Sequence, residues 1–280
     1  MPNITASVLT VAIKDILIRC SLPLVQCRGQ AYDGAANMLG HLRGVATQIL
    51  SEEARAIPVD CFAHCLNLAV QDSAKKCEPI RNALDVVLEI CKLIKLSPKR
   101  SLIFQQCKDD LSISGTGIRP LCPTRWTVRN LSIDSVIRNY PALLQAFQTI
   151  GAESHDDYGR RANGVLSLLE KFNTFFGLKL SFFLFSATEQ VSRALQAKNT
   201  TVQEALGAVN VAASFFQRNR DDETFERFYM ASREQAKEYN IDEPVLPHYR
   251  CPPRRFDDGA APHIFETPQD YYRKQYFEAK

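Results

Sequence analysis

Cys27-Arg28-Gly29-Gln30-Ala31-Tyr32-Asp33-Gly34-Ala35-Ala36-Asn37-Met38 decides the reading of this chain, because it passes from strand chemistry through a turn into a helix. An extended segment over 25–32 ends in Asp33-Gly34, a turn pair. Met38, Leu42, Val45 and Ile49 then recur at helical spacing, with Leu39, Ala46 and Leu50 beside them, and predict one amphipathic helix. Downstream, Ile57-Pro58-Val59-Asp60-Cys61-Phe62 alternates two faces as a strand does, with Pro58 at an edge or strand start. A helix over 64–77 follows, with Leu66, Val70 and Ala74 on one side and Lys75-Lys76 at its electronegative end. Upstream, Val8, Val11, Ile13, Ile16, Leu17 and Ile18 predict a helix over 6–20, stopped by Ser21-Leu22-Pro23. The chain therefore opens as an α/β layer.

Strand signals fade beyond Pro79. Ile80, Leu84, Val87, Cys91 and Ile94 form a helical stripe, and Ser97-Pro98 reads as an N-cap with proline at the first helical position, opening a helix to about 108. A loop over 112–127 holds Gly115, Gly117, Pro120 and Pro123, and helical patterns resume over 128–150, 163–196 and 202–239. Six of the fourteen prolines lie after Asn240, which predicts an extended connector. Thr267-Pro268-Gln269-Asp270 then supplies a cap, a first-turn proline and an acid for a last helix. The expected fold class is an α/β start with a mostly α remainder. Its expected divisions are 1–78, 79–240, 241–266 and 267–280.

With 45% hydrophobic and 23% charged residues over 280 positions, the chain can bury a core and does not read as disordered. A net charge of +3 is too small to indicate a nucleic-acid partner by itself. Nine cysteines, an odd number spread through apolar patterns, read as reduced thiols. The chain opens without a tripartite leader signal, and Lys14-Asp15 interrupts the first apolar run well short of membrane-spanning length. A nuclear or cytoplasmic protein, neither secreted nor membrane-embedded, is expected.

Several residues can carry chemistry. Asp33 ends a strand, and Gly34 with two alanines leaves room for a phosphate or backbone, which suits a ligand of a divalent cation; alternatively Asp-Gly is a plain turn pair. Cys61, His64 and Cys65 are zinc-ligand types without a second matching pair, so buried thiols and a polar histidine at a helix start compete with zinc. His64 could instead serve a phosphate beside free helix N–H groups. Arg125-Trp126 is a loop indole with neighbouring guanidinium groups, Arg129 included, fit either to stack on an unpaired base or to plug a junction. Phe172, Phe175, Phe176, Phe182, Phe183 and Phe185 are too dense and apolar for a nucleic-acid surface and read as core or as a partner interface.

Taken in order, residues 27–38, Asp60-Cys61-Phe62-Ala63-His64-Cys65-Leu66-Asn67-Leu68, Pro123-Thr124-Arg125-Trp126 and Thr267-Pro268-Gln269-Asp270-Tyr271-Tyr272-Arg273 resemble the hAT-type transposase region of MYM-type zinc-finger proteins and their transposon-derived relatives. The resemblance implies an incomplete RNase H-like core interrupted by a large all-helical insertion. It implies metal-dependent DNA cleavage and strand transfer as the ancestral activity, with Mg or Mn bound by three acids. Asp33 matches the second acid, His64 the histidine of the Cys-x-x-His motif near the scissile phosphate, and Trp126 the tryptophan that stacks on a flipped base, supported by Arg125. The other two acids match no position of this chain, so Asp33 stands as an incomplete metal site. A catalytically inactive protein with residual DNA binding through Arg125, Trp126 and Arg129 is therefore expected, and no cofactor in this chain itself. The alternative is a protein-interaction module built on the helical insertion. Self-association through an exposed sheet edge is a further expectation.

Overall fold

A computed structural model describes residues 5–121, 129–153, 156–197, 200–246 and 265–277. The chain divides into two compact units, 1–72 and 73–280. Among the described residues no helix is long and apolar enough to cross a membrane.

The first unit opens with α1 (Ala6–Arg19), capped by Thr5, whose hydroxyl accepts from the Val8 N–H. A short 3-10 turn (Leu24–Gln26) leads to β1 (Gly29–Tyr32), then α2 (Ala36–Leu39), α3 (Val45–Glu52) and β2 (Ile57–Asp60). The strands pair in parallel, Gly29 opposite Ile57 and Tyr32 opposite Asp60. Parallel pairing needs a crossover, and α2 with α3 supplies it. Val45, Ile49 and Ala56 are the buried centre, packed by Leu9 and Ile13 of α1 and by Tyr32 and Met38. Gln30 is buried, its amide donating to the carbonyls of Ala46 at 3.1 Å and Ala56 at 2.8 Å, so one side chain ties β1 to the start of α3 and to the residue before β2. All four residues of β2 are exposed, with Ile57 at 63% and Val59 at 47%.

The single helix expected through Met38 and Ile49 is in fact two. Gly40 and Gly44 separate them, and Leu42, counted on the apolar stripe, is 91% exposed. The chain doubles back so tightly that a Cβ on Gly44 would lie 2.5 Å from the Gly40 nitrogen and 2.7 Å from its carbonyl oxygen.

Beyond α3, Glu53 is buried and takes a fork from Arg55, whose Nε and Nη2 donate to its two oxygens at 2.7 and 2.9 Å; the Arg55 backbone N–H adds a third bond at 3.0 Å. The Arg55 side-chain bonds, followed by that backbone bond, hold the Glu53 carboxyl down at about 2 against an ordinary 4.5. A carboxyl depressed by folding stabilises the folded chain fully above its unfolded value and loses that contribution as pH falls through its folded value. The first unit should therefore weaken between pH 4.5 and about 2. In Glu53→Gln that portion of the acid dependence should vanish, with lower stability at neutral pH. Urea midpoints across the acid range, compared between the two proteins, test this; superimposable curves would contradict it.

Helix α4 (Phe62–Lys76) crosses the division between units, and the rest is helical: α5 (Glu78–Lys95), α6 (Pro98–Asp110), α7 (Arg129–Arg138), α8 (Tyr140–Glu153), α9 (Asp157–Leu169), α10 (Phe172–Gln196), α11 (Val202–Arg218), α12 (Asp222–Glu238) and α13 (Pro268–Tyr272). The α5 stripe buries Ile80, Val87, Cys91 and Ile94. Ser97 caps α6 by accepting from the Arg100 N–H, and Thr267 caps α13 by accepting from the Asp270 N–H at 3.1 Å. Helix α10 runs through the unit and packs on α5, α7, α11 and α12. The approach to α5 is close at Gly177, where a Cβ would come within 2.9 Å of the Pro79 carbonyl oxygen.

Each of the three long helical patterns is divided. Pro141 lacks the N–H that would reach back to the Ile137 carbonyl, so the helix is interrupted at Asn139 between α7 and α8, and the Asn139 amide donates back to the Ser135 carbonyl at 2.7 Å. At the end of α9 the carbonyls freed from the helix find remote donors: the Tyr140 hydroxyl bonds Leu169 at 2.7 Å and the Asp242 N–H bonds Glu170 at 2.8 Å. Asp221 caps α12 by accepting from the Thr224 N–H at 2.7 Å. The molecule is thus mostly helical with a small two-stranded parallel sheet. The connector expected at 241–266 lies largely outside the described residues.

Candidate functional site

The carboxyl ends of β1 and β2 face the same way because the strands are parallel, and loops leaving such ends are where ligands bind in open α/β sheets. The Cys61 N–H donates to the Tyr32 carbonyl at 3.0 Å, carrying the pairing one residue past β2. Asp33 leaves β1 there and is exposed, with Oδ1 accepting from the Ala35 N–H at 3.3 Å in an Asx-type turn. Gly34 follows, and the position its Cβ would take is 3.8 Å from both Cδ2 and Nε2 of His64. His64 is half-buried in the first turn of α4. The turn after β1 and the helix after β2 therefore bring two residues far apart in sequence into contact, and the missing side chain of Gly34 is what permits the approach.

A two-metal centre needs several carboxylates around a point about 4 Å wide. Among the described residues no group of three or more His, Cys, Asp or Glu side chains is placed to hold an ion. Asp33 also has one oxygen turned onto its own backbone. The donor set around Asp33 does not fit the metal pair, and the same holds for zinc at Cys61, His64 and Cys65, the cysteines being free thiols, half-buried and exposed respectively.

Of the expected DNA-contacting residues, Arg125 and Trp126 lie outside the described residues. Arg129 is buried at the start of α7. Glu189, inside the expected insertion, is buried and paired with Arg193 on its own helix at 2.5 Å.

A second feature involves part of the phenylalanine run. Phe182 and Phe183 of α10, Phe215 of α11 and Phe228 of α12 wall a groove of about 480 Å³. Lys179 is the charged side chain in its lining and donates to the neutral Gln235 Oε1 at 2.8 Å; burial pulls its ammonium pKa down. The dense phenylalanine run was the available signal. It marked an apolar helix without telling which rings close a core and which border an opening.

Two stretches match known family models. Residues 59–162 match the ZBED1 RNase-like helical domain, and residues 1–44 match the RNase-like domain of ZMYM1/FAM200, DUF4371. Asp33 falls within the stretch 1–44, and His64, Arg125, Trp126 and Arg129 fall within 59–162. No solved structure matches the chain.

Proposed function

We propose, for a chain that carries transposase-derived RNase-like domains of the ZBED1 and ZMYM1/FAM200 types, that it binds DNA without cleaving it. On this reading the two-stranded sheet is part of an RNase H-like core, and the helices beyond α4 are its insertion. The observation that carries it is the Asp33-Gly34 turn resting on His64 at the strand ends, with no group of three metal-ligand side chains around it among the described residues. Exposed strand ends beside a helix N-terminus suit an approaching phosphate, while activating a nucleophile would require ions this site does not gather. Recognition of an unpaired base is assigned to Trp126, and the neighbouring phosphates to Arg125.

The test uses the full chain and a hairpin-ended oligonucleotide carrying one unpaired base. Binding should weaken steeply with salt, and Trp126→Ala should cost about 1–3 kcal/mol, the usual range for a base stacked on an aromatic ring. Equal binding by Trp126→Ala would remove the base-stacking role. Nicking that depends on manganese and disappears in Asp33→Ala would overturn the claim of inactivity.

A second reading, in which the helical unit is a protein-docking module, is favoured by the groove beside Phe182 and Phe183. Binding of a protein partner that is lost on replacing these two residues, by a chain with no measurable DNA affinity, would prefer it.

A further inference from the structure

Helix α11 has no buried residue, although it is apolar on two sides. One side, with Ala208, Ala212 and Phe215, lines the groove against α10. The other carries Val202, Leu206, Val209, Ala213 and Phe216, at steps of four, three, four and three residues. On an α-helix that spacing collects all five into one narrow stripe, the kind of seam with which helices pair. Val202, Leu206, Val209 and Ala213 are exposed, Leu206 at 58% and Val209 at 43%, and Phe216 is half-buried, so among the described residues the stripe faces outward from Val202 to Ala213. A helix apolar on opposite sides is normally sandwiched between two layers. Here one layer is α10.

We infer that the outer seam of α11 docks on the same seam of a second copy of this chain, the two helices running antiparallel about a twofold axis at Val209. Three properties of the stripe select a second copy. The seam is nearly symmetric about Val209, so antiparallel pairing sets Val209 against Val209, Leu206 against Ala213 and Val202 against Phe216. Large residues then meet small ones, as interdigitating layers require. The residues flanking the seam, Gln203, Ala205, Asn210, Ala212 and Gln217, are uncharged, so two identical surfaces meet without like-charge repulsion. Antiparallel pairing also sets each helix N-terminus beside the C-terminus of the other, a favourable dipole arrangement. Such an interface is isologous and closes at two subunits. This inference rests on the docking-module reading only in using the helical unit as the contact surface.

The experiment is sedimentation equilibrium of the full chain from about 1 to 100 μM, a range chosen for an interface of modest affinity. A monomer–dimer equilibrium is expected. Val209→Glu should raise its dissociation constant at least about tenfold, since two carboxylates would face each other in an apolar seam. Val211→Glu, which places the same charge on the groove side of the same helix, should leave it unchanged. Both positions are exposed, so circular dichroism and the thermal midpoint should stay at the parent values. With Val209→Cys, a short bis-maleimide should join residue 209 to residue 209, as mapped by mass spectrometry, and fixes the orientation. A chain that stays monomeric at the highest concentration overturns the inference, as does a dimer that Val209→Glu leaves intact. So does a monomer in which the thiol of Leu206→Cys is shielded from labelling, because a segment of the same chain would then cover the seam. A monomer that still binds another protein through Phe182 and Phe183 would overturn this pairing and leave the docking-module reading standing.

Discussion

Phe176→Ala is expected to cost the helical unit about 3–5 kcal/mol, the range for removing a fully buried aromatic side chain. The Phe176 ring has no exposed surface and lies among Phe172 at 5.8 Å, Phe228 at 5.3 Å, Tyr229 at 6.1 Å and Tyr272 at 5.0 Å, centroid to centroid. These partners come from α10, α12 and α13, so one ring joins three helices that are distant in sequence. Most of the contacts are edge-on or tilted, the arrangements that ring quadrupoles favour and that no aliphatic side chain reproduces. The cavity left by alanine cannot collapse easily, because each surrounding ring is already held by another: Phe172 touches Tyr229 and Tyr272 edge-on, and Tyr229 packs on Tyr272 at 5.9 Å. Urea unfolding should show the lowered midpoint, and amide exchange should rise first in α12 and α13. A loss under about 1 kcal/mol, below the range for such truncations, would mean that α10, α12 and α13 do not share this core.

The second large effect is expected at Gly44→Ala. Three backbone atoms crowd the place a Cβ would take: the Gly40 nitrogen at 2.5 Å, the Gly40 carbonyl oxygen at 2.7 Å and the Met38 carbonyl oxygen at 2.9 Å. Rotamer changes cannot relieve a clash with backbone, so α2 must move away from α3. A loss of about 1–3 kcal/mol or more is expected, as for overpacking in a core. Because Val45 and Ile49 sit immediately beyond this junction in the buried centre, the loss should appear across the first unit as faster amide exchange in α3 and β1. Gly164→Ala is the matching control. It lies within α9 with nothing within 4 Å of the new methyl group, and should be neutral or stabilising by about 0.5–1 kcal/mol through helix propensity. Equal responses at the two positions would refute the close approach at Gly44.

The break at residues 40–44 shows where reading by periodicity stops. Met38, Val45 and Ile49 do reach one core, so their spacing looked helical throughout, yet two short helices meeting at a glycine corner bury the same side chains. The divisions at Glu170 and Asn219 have a related origin: α9 and α10 both pack on α5, and α11 and α12 both pack on α10, so an apolar rhythm continues across each gap. Pro141 and Asp221 were legible punctuation. The break after Leu169 was not, since its carbonyls are met by Tyr140 and Asp242 from elsewhere in the chain.

The candidate site divides in a similar way. Asp33 and His64 were recognisable as residue types at the ends of strand-like runs, and the structure pairs the two runs in parallel. That Gly34 lets the turn rest on the imidazole, that no group of three metal-ligand side chains forms around Asp33 among the described residues, and that Arg129 is buried depend on where remote segments come to lie. Caps such as Ser97 and Thr267, the α/β opening and the helical remainder could be read directly, because hydrogen bonds and apolar stripes that act over three or four residues are written in neighbouring side chains. Which glycines become corners, which phenylalanines border a groove, and which face of α11 remains open among the described residues were settled by packing between distant elements, since burial is a property of the partner surface as much as of the residue.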